Sequence, residues 1–250
     1  MAVYRLPQEL IFPDPELSEE DGLLAVGGDL SIERLILSYS NGIFPWYNEG
    51  EPILWWCPKP RFILKPDEVK VSKSMRKIIK KNIFEVKFNT DFEGVINNCK
   101  ITREDEEGTW ITEDMKSAYI DLFKAGYAMS VETYLNEELV GGLYGVKIGK
   151  CFFGESMFSK VNNSSKIALI TLAEKLKEEN FAFIDCQVHT DHLESMGAKF
   201  VEWDEFKRML NDYCSIFPYV DTQSVWRVIN MKLKWTEESR KWQDLIMSMI

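Results

Sequence analysis

The sequence predicts a mixed α/β (α+β) protein, a sheet with helices packed on it, preceded by a small irregular N-terminal domain. Up to about Lys70 the chain is rich in Pro, Gly and Trp, and its structural signals are short. After Lys70, helical and strand periodicities alternate in regular blocks. Hairpin signals between Met129 and Met157 are followed by a strand–helix–strand succession, the order of a sheet covered by helices. With 250 residues, 45% of them hydrophobic and 13% aromatic, the chain can build one large domain or two small ones around a sizeable core.

Residues 31–40 read as a short helix with Ser31 near its N-cap, and Gly42-Ile43-Phe44-Pro45-Trp46 as a turn-rich segment. The change of pattern divides the chain into 1–70, a main domain 71–212 and an extension 213–250. An amphipathic helix runs from Ser72, a strand covers 84–89, one helix starts at Asp91, and another spans 112–127. Residues 129–135 turn through Asn136 and Glu137 into 139–148, and Gly149-Lys150 turn into 151–157, a three-strand meander. A helix follows with Leu169, Leu172, Ala173 and Leu176 on one face. Then come an apolar strand over 181–187, a short helix, a strand near Phe200 and a helix from Asp204. In the extension, Trp242, Leu245, Ile246 and Met249 have the spacing of an apolar helix face, read either as packing on the body or as an interaction surface.

The opening residues carry Arg5, Glu9 and three prolines where a secretory signal needs an apolar core, and no apolar run approaches the roughly 18 residues of a membrane span. The cytoplasm is the expected location, and no membrane partner is expected. Cys57, Cys99, Cys151, Cys186 and Cys214 lie far apart and are odd in number, which suggests neither a disulfide framework nor a zinc knuckle. A net charge of −10 excludes indiscriminate nucleic-acid binding but leaves room for a local basic patch.

Three constellations carry chemistry. On the helix from Ser72, Met75, Ile78 and Ile79 share a face, while Lys73, Arg76, Lys77, Lys80 and Lys81 crowd the rest without an acid among them. It reads as a solvated face or as a phosphate-contacting patch. In Cys151-Phe152-Phe153-Gly154-Glu155-Ser156-Met157-Phe158, strand alternation puts Phe153, Glu155 and Met157 on one face. Glu155 is then an edge carboxylate in solvent, or a partly desolvated acid lining a pocket. In Ile184-Asp185-Cys186-Gln187-Val188-His189, Asp185 and Gln187 share a face at the carboxyl end of an apolar strand, where open α/β sheets collect ligands. The plain alternative is that Asp185 caps the next helix and Gln187 serves loop backbone. Neither His189 nor His192 is taken as a base. No nucleophile triad, metal-ligand spacing or phosphate loop stands out, so direct transfer chemistry is favoured.

Six ordered motifs bear a family resemblance: Asp21-Gly22-Leu23-Leu24-Ala25-Val26-Gly27-Gly28-Asp29-Leu30, Gly42-Ile43-Phe44-Pro45-Trp46, Pro52-Ile53-Leu54-Trp55-Trp56-Cys57-Pro58, Gly108-Thr109-Trp110-Ile111-Thr112, Phe153-Gly154-Glu155-Ser156-Met157-Phe158-Ser159 and Ile184-Asp185-Cys186-Gln187-Val188. Together they resemble the bacterial leucyl/phenylalanyl-tRNA-protein transferase family, from about Phe12 to about Phe206. The resemblance implies a GNAT-like main domain after a smaller N-terminal one, and transfer of Leu, Phe or Met from aminoacyl-tRNA to proteins beginning with Arg or Lys. That transfer creates an N-terminus that marks the acceptor for degradation. It implies no metal and no coenzyme. By matching positions, the aminoacyl pocket and terminal-adenosine contacts fall on Trp46, Trp110, Phe152, Phe153, Glu155, Met157, Phe158, Ile184, Asp185 and Gln187.

In mechanism, Asp185 and Gln187 are expected to orient the attacking amine, with Asp185 receiving its proton. Glu155 would hold the cationic N-terminal residue or the polar rim, and the two carboxylate roles are exchangeable. The chain departs from the family pattern at Leu143, where Met also occurs, and at Leu172 and Leu176, where aromatic pocket residues occur; both leucines also read as ordinary core. Two rival functions are weaker. An acetyl-CoA transferase favours a Gly-rich turn at a helix N-terminus, whereas Ser159-Lys160-Val161-Asn162-Asn163-Ser164-Ser165-Lys166 has no glycine. A non-catalytic tRNA-binding module explains the lysines but not an acid and an amide beside an aromatic pocket.

Overall fold

The computed structural model describes residues 3–104 and 110–214. The apolar face expected between Trp242 and Met249 lies outside them.

A small four-stranded sheet comes first, built from β1 (Tyr4–Leu6), β2 (Leu23–Gly27), β3 (Phe44–Pro45) and β4 (Leu54–Trp56) in the order β1-β2-β4-β3. Helix α1 (Ile32–Ser40) interrupts it, and the Ser31 hydroxyl accepts from the Arg34 N–H at its start. The sheet closes on Trp55, fully buried, whose indole donates 2.8 Å to the Gly27 carbonyl. Gly22 cannot carry a side chain: at φ +97° a Cβ there would lie 2.8 Å from Pro58 Cα.

The remaining strands are β5 (Arg61–Leu64), β6 (Glu85–Phe88), β7 (Ala128–Leu135), β8 (Glu138–Ile148), β9 (Cys151–Ser159), β10 (Phe183–Gln187) and β11 (Lys199–Val201). They form one sheet in the order β11-β5-β10-β9-β8-β7-β6. The pair β9–β10 is parallel and the other neighbours are antiparallel. The expected meander is β7-β8-β9, and Asn136 and Glu137 both adopt positive φ in the tight β7–β8 turn. Strand β5, which precedes the change of composition near Lys70, is inserted between β10 and β11.

The other α-helices of the described residues are α2 (Lys73–Lys81), α3 (Phe92–Glu104), α4 (Glu113–Lys124), α5 (Ser164–Glu178), α6 (Asp191–Ser195) and α7 (Trp203–Tyr213). Helix α5 covers one face of the large sheet, burying Leu169, Leu172, Ala173 and Leu176 against Phe152, Ile184 and Leu143. Helices α3 and α4 cover the other, in an apolar cluster that continues into the small sheet through Trp55 and Leu24. This mixed sheet with helices on both faces is the expected mixed α/β class. No helix of the described residues is long and apolar enough to cross a membrane.

Helix α4 is held at its start by Thr112, whose hydroxyl accepts from the Met115 N–H at 3.2 Å. Replacing Thr112 with Ala removes that cap and should lower stability by about 1 kcal/mol, read as a smaller urea midpoint at unchanged slope. An unchanged midpoint would show that the cap contributes nothing.

Candidate active site

The ladder between β10 and β9 ends at Asp185↔Phe153, while β9 runs on to Ser159 against β8. Between the parted strands lies a cavity of about 550 Å³. Trp46, Trp110, Leu143, Phe152, Glu155, Met157, Phe158, Ile184, Asp185 and Gln187 all line it, although they come from distant parts of the sequence. Leu172 also lines it, so one of the two departing leucines belongs to the pocket; Leu176 is fully buried in the core beneath. Trp46 is 44% exposed at the rim.

Phe153, expected in the aminoacyl pocket, does not line this cavity. Tyr144 pairs with Ser156 and Gly145 with Gly154, so Glu155 is an extra residue in β9 and the strand alternation breaks there. Phe153 therefore does not share a face with Met157. It is fully buried in the other core, 5.2 Å from the Tyr39 ring and 6.3 Å from Phe183, and is absent from the cavity wall. Simple period-2 reading misses a bulge of this kind.

The bulge turns Glu155 into a polar cluster. Tyr39 Oη lies 2.8 Å from Glu155 Oε1, Tyr119 Oη 2.6 Å from Oε2, and the Gln187 amide donates to Oε1 at 3.0 Å. The two tyrosine oxygens are themselves 2.7 Å apart. Glu155 is only 8% exposed, and burial, the largest influence on it, pushes its carboxyl up from 4.5 to about 7. Burial, and next the Glu155 charge, push both phenols well above their ordinary value. Nothing in the sequence marks Tyr39 and Tyr119, which look like ordinary apolar-face residues of α1 and α4.

Asp185 is not a free base. Arg61 Nε and Nη2 grip its two carboxylate oxygens at 2.9 and 2.8 Å, and both side chains are essentially fully buried. Arg61 also donates to the Gly42 carbonyl at 2.9 Å, between the Phe44 and Phe206 rings, each 5.0 Å away. Asp185 Oδ1 accepts from the Gln187 N–H at 2.9 Å. That bond supports Gln187 at φ +63°, a backbone conformation most side chains avoid, and so aims its amide at Glu155. The following helix is capped by Thr190, not by Asp185. A usable signal existed for the pair: Arg61 and Asp185 are opposite charges, each set within an otherwise apolar strand.

The basic residues Lys73, Arg76, Lys77, Lys80 and Lys81 are exposed along α2, and none pairs with an acid of the described residues. Met75 anchors the helix in the α5-side core, but Ile79 is left in solvent. None of the five lines the cavity. Among the described residues, His189, Asp191 and Glu194 have metal-ligand proximity, but all three are exposed and His189 Nε2 already lies 2.9 Å from Glu194 Oε2.

Comparison with known proteins bears on this site. The family model described as leucyl/phenylalanyl-tRNA protein transferase matches residues 63–211, and that of its N-terminal domain matches residues 28–59. A leucyl/phenylalanyl-tRNA–protein transferase of Flavobacterium johnsoniae is 54% identical over 83% of this chain and 99% of its own length. One of Syntrophus aciditrophicus is 53% identical over 84% and 88%, and one of Pseudomonas putida 49% over 82% and 92%. Among solved structures, L-PGS from Bacillus licheniformis overlies 80% of this chain and 63% of its own at 13% identity, with a TM-score of 0.36. On the first two of these findings, the chain belongs to the leucyl/phenylalanyl-tRNA protein transferase family.

Proposed function

We propose that this protein transfers Leu, Phe or Met from aminoacyl-tRNA to the N-terminal Arg or Lys of acceptor proteins in the cytoplasm, marking them for degradation. The observation that carries the reading is one cavity whose wall combines the buried apolar side chains of Leu143, Phe152, Leu172 and Ile184 with Glu155, Gln187, Trp46 and Trp110. Such a wall accepts an apolar side chain by area burial, and discriminates by about 1 to 3 kcal/mol per methylene, which suits several aminoacyl groups. Exposed Trp46 offers a face for the terminal adenine.

The ester of aminoacyl-tRNA is already activated, so the protein's work is to align the acceptor's α-amine with the carbonyl and to manage one proton. Gln187 orients the amine. Asp185, held on both oxygens by Arg61, acts through the Gln187 backbone as a positioning group, and Glu155 is the carboxyl that handles the proton. The exchange of roles follows from exposure to the cavity and from the partners each carboxyl already has.

The α2 lysines and arginine supply phosphate contacts for tRNA. Replacing Arg76 and Lys80 with Ala should weaken aminoacyl-tRNA binding and reduce the slope of log affinity against log salt by up to about 2. Superimposable binding curves would remove α2 from the tRNA surface.

The reading as a whole is tested with radiolabelled Phe-tRNA or Leu-tRNA and two matched peptides, one beginning with Arg and one with Gly. Label should move to the Arg peptide alone, without added metal or coenzyme A. Retained tRNA binding with no transfer to either peptide would leave a tRNA-binding module instead.

A further inference from the structure

Tyr39, Tyr119 and Glu155 form a closed triangle of side chains through four oxygens, with contacts of 2.8 Å (Tyr39 Oη to Glu155 Oε1), 2.6 Å (Tyr119 Oη to Glu155 Oε2) and 2.7 Å (Tyr39 Oη to Tyr119 Oη). At such distances each side needs a hydrogen between its oxygens, because facing lone pairs repel. Each phenol carries one proton and an ionised carboxylate carries none, so two protons would serve three sides. If both phenols donate to the carboxylate, the Tyr39–Tyr119 side is bare. Gln187 donates to Glu155 Oε1 from outside the triangle and leaves that side bare as well.

We propose that the triangle holds one proton more than two phenols and a carboxylate carry, that Glu155 is thus a neutral acid in the resting protein, and that it gives this proton to the leaving ribose oxygen of the tRNA. The last step rests on the transfer reading above; the proton count does not. In that step the acceptor nitrogen bonds to the ester carbonyl carbon as the carbonyl–ribose C–O bond breaks. The carboxyl protonates the ribose oxygen and takes the surplus proton of the nitrogen, so the triangle finishes with the count it began with. Tyr39 and Tyr119 are positioning residues that keep the acid neutral until the oxygen develops charge.

The surroundings agree with a neutral acid. Tyr39 comes from α1, Tyr119 from α4, Tyr144 from β8, and Asp185 and Gln187 from β10, with Arg61 of β5 behind them. Among the described residues the nearby cation is Arg61, which is committed to Asp185 and to the Gly42 carbonyl, so none of them gives Glu155 a counter-charge of its own.

Infrared difference spectra of wild type against Glu155→Gln test the count directly. At a pH of about 6, where free carboxyls are ionised, the difference should contain the C=O stretch of a protonated carboxylic acid; loss of carboxylate bands alone would overturn the proposal. Tyr119→Phe gives a directional check. With one O···O side left, the Tyr39 proton suffices. A charge-assisted bond is roughly twice as strong as a neutral one, so relief of the bare side tips the balance and the acid band should titrate at lower pH. A move to higher pH would show plain donors to an ionised carboxylate and would overturn the count. Glu155→Gln keeps an N–H in the place of the proton, so aminoacyl-tRNA should bind as to wild type while transfer falls at least about tenfold. Transfer at the wild-type rate would overturn the donor role. Failure of wild type itself to transfer would instead remove the functional reading and leave the infrared result standing.

Discussion

With Asp185 replaced by Ala, the protein loses about 3 to 5 kcal/mol of folding stability. The loss comes from Arg61, whose guanidinium stays buried between Phe44 and Phe206 with only the Gly42 carbonyl to accept from it. A buried cation without its carboxylate bears most of its desolvation cost, whereas removing both charges does not. The double replacement Arg61→Met with Asp185→Leu should therefore recover most of the stability, and urea unfolding of the two single variants and the double one measures the coupling. A loss under about 1 kcal/mol in Asp185→Ala would show that Arg61 escapes to solvent, and would remove the pair as the lock between β5 and β10. The result also governs how activity is read. Transfer lost in Asp185→Ala reports a missing base only if the protein is shown to be folded under the assay conditions.

Folding stability should also fall as pH rises from about 4.5 to about 7, and then level off, through Glu155 alone. Its carboxyl titrates near 7 in the folded chain because burial penalises the charge, and near the ordinary 4.5 when unfolded. A group whose folded value is raised contributes fully below its unfolded value, and that contribution is lost as pH rises through the folded one. Each tenfold change in proton affinity is worth about 1.4 kcal/mol, so the total is about 3 kcal/mol. Glu155→Gln cannot titrate, so the difference in stability between it and wild type isolates this term from the other carboxyls. A pH-independent difference would mean that Glu155 is ionised in the folded protein across the range.

What the sequence made legible was local. The helix read from Ser72 is α2 with Ser72 as its N-cap, the helix read from Thr112 is α4 with Thr112 as its N-cap, and the turn at Asn136-Glu137 joins β7 to β8. Each rests on a cap, a period or a turn residue within a few positions, so neighbouring residues suffice to reveal it. The cavity was legible through family resemblance and not through pattern: Trp46, Trp110, Glu155 and Gln187 share no periodicity, yet all line it. The partners of the carboxyls were not legible. Tyr39 lies 116 residues from Glu155 and Arg61 124 residues from Asp185, and only the tertiary fold brings such pairs into contact. The β9 bulge was missed for a related reason, since an unpaired residue shows only when the register of the neighbouring strand is known.

The insertion of β5 between β10 and β11 sets the order in which the molecule can assemble. The four strands of the small sheet are complete by Trp56, so that sheet can form while most of the chain is still being made. Strand β5 follows at once, yet both its neighbours belong to the far end, and Arg61 must wait for a partner 124 residues later. At ribosomal speeds of about 5 to 20 residues per second, that is a delay of roughly 6 to 25 s. Throughout it, Phe62, Ile63 and Leu64 stand as an apolar strand with two open edges, the arrangement most prone to pair with another chain. Closure of the large sheet is therefore late and non-local, and this short early strand is the segment a nascent chain has most need to shield.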